Sequence, residues 1–316
     1  MKIIPLSIPT PFYIGDVNVY LIKDDPLTLI DAGPKTAAAF DALRDKLKRH
    51  GVNVSDIKRI VLTHAHEDHC GLAKQIRDAA NGAEIFVHEW ETGNLFGATT
   101  GAEYDDLIVL AGVPKTIFKE IRAIYQDKSF SDSLEKSEFR WLEDETEIEF
   151  GSGVLKVLHT PGHTPGSCSF FREADRTLIA GDTVLKRLTP NPILAPDPFD
   201  KTKRFKSLAE YLVSLAKIKS YAPTLIYGGH YEPIDDFNEI FNRYVRAINE
   251  RQKNVAALLS NNGATAFEIA GKLFPAAKGF HQFLAISEAV AHLDYAESEG
   301  KIAVEIKDGV EFYRKL

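Results

Sequence analysis

Cysteine is scarce: Cys70 and Cys168 are the two in 316 residues. That is too few for a disulfide framework, and neither sits in a Cys-x-x-Cys pair, so both are expected to be reduced and packed. Long apolar runs are missing too. No stretch approaches the roughly 18 residues a membrane-spanning helix needs, and the first twelve residues, MKIIPLSIPTPF, lack the basic start and apolar stretch of a secretion signal. The expectation is a cytoplasmic protein with no membrane association. Positive charge is short, with 38 Lys and Arg against 45 Asp and Glu for a net charge of −7. This excludes a surface that attracts nucleic acid everywhere, while leaving room for a local basic groove. Internal repeats and low-complexity segments are also absent, which excludes solenoids. What remains, 44% hydrophobic and 26% charged, suits a globular chain of one large domain plus a small one, or two modest domains.

The first ninety residues alternate short apolar runs with turn signals. Strands are expected at Lys2–Ile8, Val17–Ile22, Leu27–Ile30, Ile57–Thr63 and Glu84–His88. Helices are expected at Pro34–Arg49, where Ala37, Phe40, Leu43 and Leu47 recur at helical spacing, and at Leu72–Ala80. A long helical stretch follows from about Glu91 to Tyr125 and reads as an inserted cap. Strands return at Phe139–Leu142, Thr146–Phe150, Leu155–His159, Ser167–Phe171, Thr177–Ala180 and Thr224–Tyr227, with a helix at Lys203–Lys219. The fold class is therefore layered α/β. Beyond a long helix at Asp236–Leu259 come helices at Thr265–Leu273 and Phe283–Glu299, then two strand runs around Asp308-Gly309, a hairpin signal. Helix, helix, two-stranded wing is the order of a winged-helix module.

The strongest chemical signal is Thr63-His64-Ala65-His66-Glu67-Asp68-His69, between a strand and a helix. Residues two apart in extended chain point the same way, so His64 and His66 can grip one metal, while Asp68 and His69 at the turn can face a second. Further donors stand at strand ends, where α/β sheets place their sites. They are His163 in the stiff turn Thr160-Pro161-Gly162-His163-Thr164-Pro165-Gly166, Asp182 after Gly181, and His230 after Gly229.

These motifs, with Leu29-Ile30-Asp31-Ala32-Gly33 and in this order, resemble the metallo-β-lactamase superfamily of binuclear metallohydrolases over residues 1 to about 235. The resemblance implies an αββα sandwich with its site at one edge between two sheets. It implies that His64, His66 and His163 hold a first metal and Asp68, His69 and His230 a second. Asp182 would bridge both, and Asp31 would support a ligand without binding metal. It implies a catalytic domain at residues 1–245, with its helical insert at about 91–136, and a small winged-helix-like domain at 246–316. Within the superfamily the insert and tail look most like the β-lactamase-like protein 2 group, some members of which cut single-stranded RNA. The commonest true β-lactamases carry a cysteine where this chain has Asp182, which counts against penicillin-type substrates. Glyoxalase II shares the seven ligands, but the basic residues of its tail are not matched. Many relatives have a glycine after the final histidine, where this chain has Tyr231.

Two divalent ions carry four positive charges against two negative ones from Asp68 and Asp182, and the surplus favours a bound hydroxide as nucleophile. That chemistry fits an ester, thioester, lactone or phosphodiester, with Asp68 also orienting the nucleophile or shuttling its proton. Zinc suits the donors best, with iron or manganese as alternatives. Two other readings stay open. One is a mononuclear-iron persulfide dioxygenase that reuses His64, His163 and Asp182; the other is a single-stranded RNA endonuclease. The substrate is a small molecule or RNA, and a homo-oligomer is allowed. Residues 251–316 hold eight basic and eight acidic residues, so the tail is expected to shape the pocket rather than read nucleic acid. Lys186 and Arg187 read as solvated surface charge, Cys70 as a small buried residue, and His50, His88, His159, His281 and His292 take no ligand role.

Overall fold

The structure is a computed structural model and describes residues 1–91, 101–126 and 138–316. Six strands form the first sheet in sequential order: β1 (Lys2–Ile8), β2 (Val17–Lys23), β3 (Thr28–Ile30), β4 (Arg59–Val61), β5 (Glu84–His88) and β6 (Phe139–Leu142). β1 to β3 are antiparallel, and β3 to β6 run parallel. The second sheet has the order β11-β10-β9-β8-β7, from β7 (Glu147–Phe150), β8 (Gly153–His159), β9 (Cys168–Arg172), β10 (Thr177–Gly181) and β11 (Leu225–Gly228). Of its pairs β10–β11 is parallel and the rest are antiparallel.

Side-chain alternation along the strands builds the layers. Tyr20, Ile22, Ile30 and Val61 of the first sheet meet Val157, Phe170 and Ile179 of the second. Their neighbours Val19, Leu21, Leu29 and Ile60 face outward onto α1 (Ala37–Arg49) and α3 (Ala73–Ala79). On the other side, Leu158, Phe171, Leu178 and Ala180 pack under α6 (Ser207–Tyr221) and α7 (Phe237–Leu258). The result is the expected αββα sandwich, and each fully buried aliphatic side chain contributes about 1.5–3 kcal/mol to it.

The tail contains α8 (Ala266–Leu273), α9 (Phe280–Ser298) and the antiparallel pair β12 (Ile302–Lys307) and β13 (Val310–Lys315). A capping box between Thr265 and Glu268 starts α8. Asp308 and Gly309, both at positive φ, turn the hairpin. Two helices of the expected insert, α4 (Gly101–Leu110) and α5 (Lys115–Gln126), share one apolar cluster with the tail, through Leu107, Ile108 and Ile121 against Ile269, Ile286 and Tyr313. The Phe267 amide donates to the Ala111 carbonyl at 2.9 Å. Residues 92–100 and 127–137 of the expected insert lie outside the described residues. The long helix α7 runs through positions 245 and 246, with Ile240, Tyr244 and Ile248 in the sandwich cluster and Val255 in the tail cluster. Among the described residues no helix is long and apolar enough to cross a membrane.

Candidate metal centre

The parallel strands β3, β4, β10 and β11 deliver their C-terminal ends to one edge of the sandwich. Asp31 follows β3, and the His64–His69 run follows β4. Asp182 follows β10, His230 lies two residues past β11, and His163 sits in the β8–β9 turn. The short helix α2 (Glu67–Cys70) begins directly after His66 and carries Asp68 and His69.

All seven expected ligands converge. His64 Nε2 and His163 Nε2 each lie 3.0 Å from His66 Nδ1. Asp68 Oδ2 is 3.3 Å from His230 Nε2 and 3.8 Å from His69 Nε2. The Asp182 carboxylate stands between these groups, at 3.4 Å from His69 Nε2, 3.6 Å from His230 Nε2 and 3.7 Å from His163 Nε2. Three sets have their donor atoms within 4.8 Å of one another: His64, His66 and His163; His64, His69 and Asp182; and Asp68, His69 and His230.

The far sides of the imidazoles are held. His163 Nδ1 donates to the Asn191 carbonyl at 2.9 Å, and His230 Nδ1 to the Asp16 carbonyl at 2.8 Å. His69 Nδ1 meets Asp31 Oδ2 at 2.8 Å, and His64 Nδ1 meets the Thr63 hydroxyl at 3.0 Å. A carbonyl or carboxylate acceptor keeps the proton on Nδ1, so the Nε2 lone pairs of His69, His163 and His230 face the cluster. Asp31 itself is buried in the left-handed region at φ 61. It accepts the Thr63 amide at 2.8 Å besides meeting His69 Nδ1.

Burial and mutual repulsion shape the protonation of this cluster. Burial, then the neighbouring imidazoles, holds His64 well below the usual histidine range, and burial presses His66 down to about 3. Burial likewise lowers His163. At His69 and His230 burial pulls the same way, but the carboxylates of Asp182 and Asp68 outweigh it and raise both. Burial works to raise Asp182, and the imidazoles of His230 and His69 overcome it to leave the carboxylate well below its usual range. Among the described residues, His69 Nε2, His230 Nε2 and Asp182 Oδ1 are buried with no hydrogen-bond partner. His69 Nε2 and His230 Nε2 face the carboxylate oxygens of Asp182 and Asp68 at 3.3–3.6 Å, and a cation between these imidazole and carboxylate donors would satisfy both.

Residues 13–230 match the metallo-beta-lactamase superfamily. The chain belongs to that superfamily. It is 34% identical over 313 residues to the probable metallo-hydrolase YqjP of Bacillus subtilis, covering 95% of this chain and 93% of that one. It is 25% identical to the beta-lactamase-like protein 2 homolog of Drosophila melanogaster, covering 96% and 90%. Among solved structures, the metallo-beta-lactamase family protein TTHA1429 of Thermus thermophilus superposes with a TM-score of 0.84 at 28% identity, covering 99% of this chain and 98% of that one. This superfamily member is thus a metallo-hydrolase by kinship, with a His and Asp cluster suited to divalent metal.

His88 and His159 stack on each other at 4.1 Å and 7°, outside the donor sets. His292 is buried and bonds Gln252 at 2.7 Å. Lys186 donates to the Pro233 carbonyl and Arg187 pairs with Glu232 at the surface. Cys70 and Cys168 are buried and unbridged. Tyr231, directly after His230, adopts φ 67. That left-handed backbone is why glycine suits the position, and here Arg187 covers the tyrosine ring at 5.3 Å. Sequence reasoning missed Asn191, Asp16 and Glu91. The first two act through backbone carbonyls, which carry no residue signature. A cavity of about 650 Å³ opens beside Asn191, walled by Tyr13, Phe274, Leu284, Lys278 and His281.

Proposed function

We propose that the protein is a binuclear metallohydrolase. In this reading His64, His66 and His163 hold one divalent ion, Asp68, His69 and His230 hold a second, and Asp182 reaches both. The observation that supports it most is the convergence of His69 Nε2, His230 Nε2 and Asp182 Oδ1, buried without a well-formed hydrogen bond, in a cluster whose His69, His163 and His230 rings are anchored through Nδ1. The imidazole-rich donors favour zinc, with iron or manganese as alternatives. Bound there, divalent ions supply Lewis acidity and bring the pKa of water from 15.7 to about 7.

The chain's own groups do the rest. Asp31 fixes the His69 ring through Nδ1, and the Asn191 and Asp16 carbonyls fix His163 and His230. Asp68 keeps 13% of its side chain exposed against 6% for Asp182, which puts it on the solvent side, where a carboxylate orients the nucleophile and passes a proton to the leaving group. This reading places the substrate at the cavity beside Asn191, whose carbonyl holds His163. Its walls of Tyr13, Phe274 and Leu284 suit an apolar group, and Lys278 suits an anionic end. This favours an ester, thioester or lactone over RNA, in keeping with the neutral tail.

A panel of acyl esters, thioesters, lactones and single-stranded RNA, assayed with zinc-loaded protein, tests the reading. Hydrolysis of an acyl substrate that falls at least 100-fold in H66A is expected. Undiminished hydrolysis by H66A contradicts the metal assignment, and cleavage of RNA alone contradicts the substrate class.

A further inference from the structure

Glu91 closes the short 3-10 turn Glu89–Glu91 that follows β5 and His88, and its side chain is buried with 1% exposure. It lies between the two loops that carry the first triad of histidines. Its Oε2 accepts the amide of Ala65, the residue between His64 and His66, at 2.9 Å. Its Oε1 accepts the Thr164 hydroxyl at 2.6 Å and the Gly166 amide at 2.7 Å, both in the turn that carries His163. The two loops are about a hundred residues apart in sequence, and one carboxylate ties both. Gly166 is shaped to this contact, since a Cβ there would lie 2.8 Å from both Cγ and Oε1 of Glu91.

We infer that Glu91 is a positioning residue that sets the separation between His64 and His66 on one side and His163 on the other, and so selects for a metal ion in that triad. The inference rests on the binuclear reading above. The two peptide contacts are donors that cannot reverse, so both carboxylate oxygens must accept. Glutamine matches the shape but offers one acceptor. With its carbonyl turned to Thr164 and Gly166, its amide faces the Ala65 N–H, donor against donor; turned the other way, it faces the Gly166 N–H. Glutamine therefore holds one loop and releases the other. Among the described residues nothing comparable ties Glu91 to Asp68, His69 or His230, so the second set should be spared.

Zinc titration against a competing chromophoric chelator, on wild type and E91Q, tests this directly. Wild type is expected to take two ions tightly. E91Q is expected to keep one tight ion and to bind the other at least tenfold more weakly, the usual size of a lost supporting contact. Equal affinities in a folded E91Q overturn the inference, as does equal weakening of both ions, which marks a general loss of structure. If wild type binds a single ion, the binuclear reading falls. The affinity of that ion in E91Q then decides the role of Glu91, tenfold weakening supporting it and no change overturning it. Should E91Q fail to fold, G166A, which crowds the carboxylate without altering its chemistry, is expected to reproduce the selective weakening, and two tight ions in G166A overturn the inference.

Discussion

Gly229 has no room for a side chain: a Cβ there would fall 2.1 Å from Asp182 Oδ1 and 2.7 Å from His69 Cε1. G229A must therefore displace the carboxylate expected to reach both metals, and hydrolysis should fall at least 100-fold while circular dichroism stays native; a variant with wild-type kcat would contradict that placement. A second residue-scale outcome concerns His88. Burial, then the stacked His159, presses its pKa to about 3 against 6.5 for the free side chain. Between those values the unfolded chain holds the extra proton, so stability rises with pH and is lost as pH falls from 6.5 toward 3. H88F should remove this contribution, so that urea unfolding at pH 7 and pH 5 shows a loss up to about 2 kcal/mol smaller than in wild type. The donors were legible at this scale because paired spacing, strand-end placement and family resemblance coincide on them. Glu91 was not, because its meaning lies in peptide groups 26 and 75 residues away.

Elements were legible where periodicity is strong and less so where side chains are diverted. α1, α8 and the β12–β13 hairpin lie close to their expected places, since a Thr36 cap, a Thr265–Glu268 capping box and an Asp-Gly turn mark them. The strand expected at Ile57–Thr63 pairs only over Arg59–Val61, because the Thr63 amide turns to Asp31 Oδ1 instead of continuing the ladder. The helix expected from Lys203 starts at Ser207. Arg204 is drawn instead into the tail, donating to Asp294 at 2.7 Å, Glu311 at 2.9 Å and the Tyr313 hydroxyl at 2.9 Å. These groups are almost wholly buried. R204M would leave Glu311 without its cation and Asp294 with only the half-exposed Lys206 at 3.0 Å, and chemical denaturation should record a loss of about 3–5 kcal/mol; a loss under about 1 kcal/mol would show that the network does not hold the tail. The tail also reaches the metal centre through Asn191, whose side chain donates to the Leu284 carbonyl at 3.1 Å and Glu288 at 3.2 Å while its own carbonyl holds His163.

At the scale of the molecule, two sheets bring chain segments spanning residues 31 to 230 to one edge, and the tail with α4 and α5 forms a second apolar body beside it. The layer order was legible from strand and helix signals. The joining of insert to tail was not, because both simply read as amphipathic and nothing local says which apolar face meets which. Since an ion bound by this cluster would bind the folded chain and not the unfolded one, chelation should destabilise the sandwich, by about 4 kcal/mol when the ion had stood at a thousand times its dissociation constant. Calorimetry should show a lower Tm after chelator treatment and recovery on adding zinc. The most direct test counts the metal itself: elemental analysis of the purified protein should return about two divalent ions per chain, whereas a single iron, or no metal retained, would contradict the binuclear account.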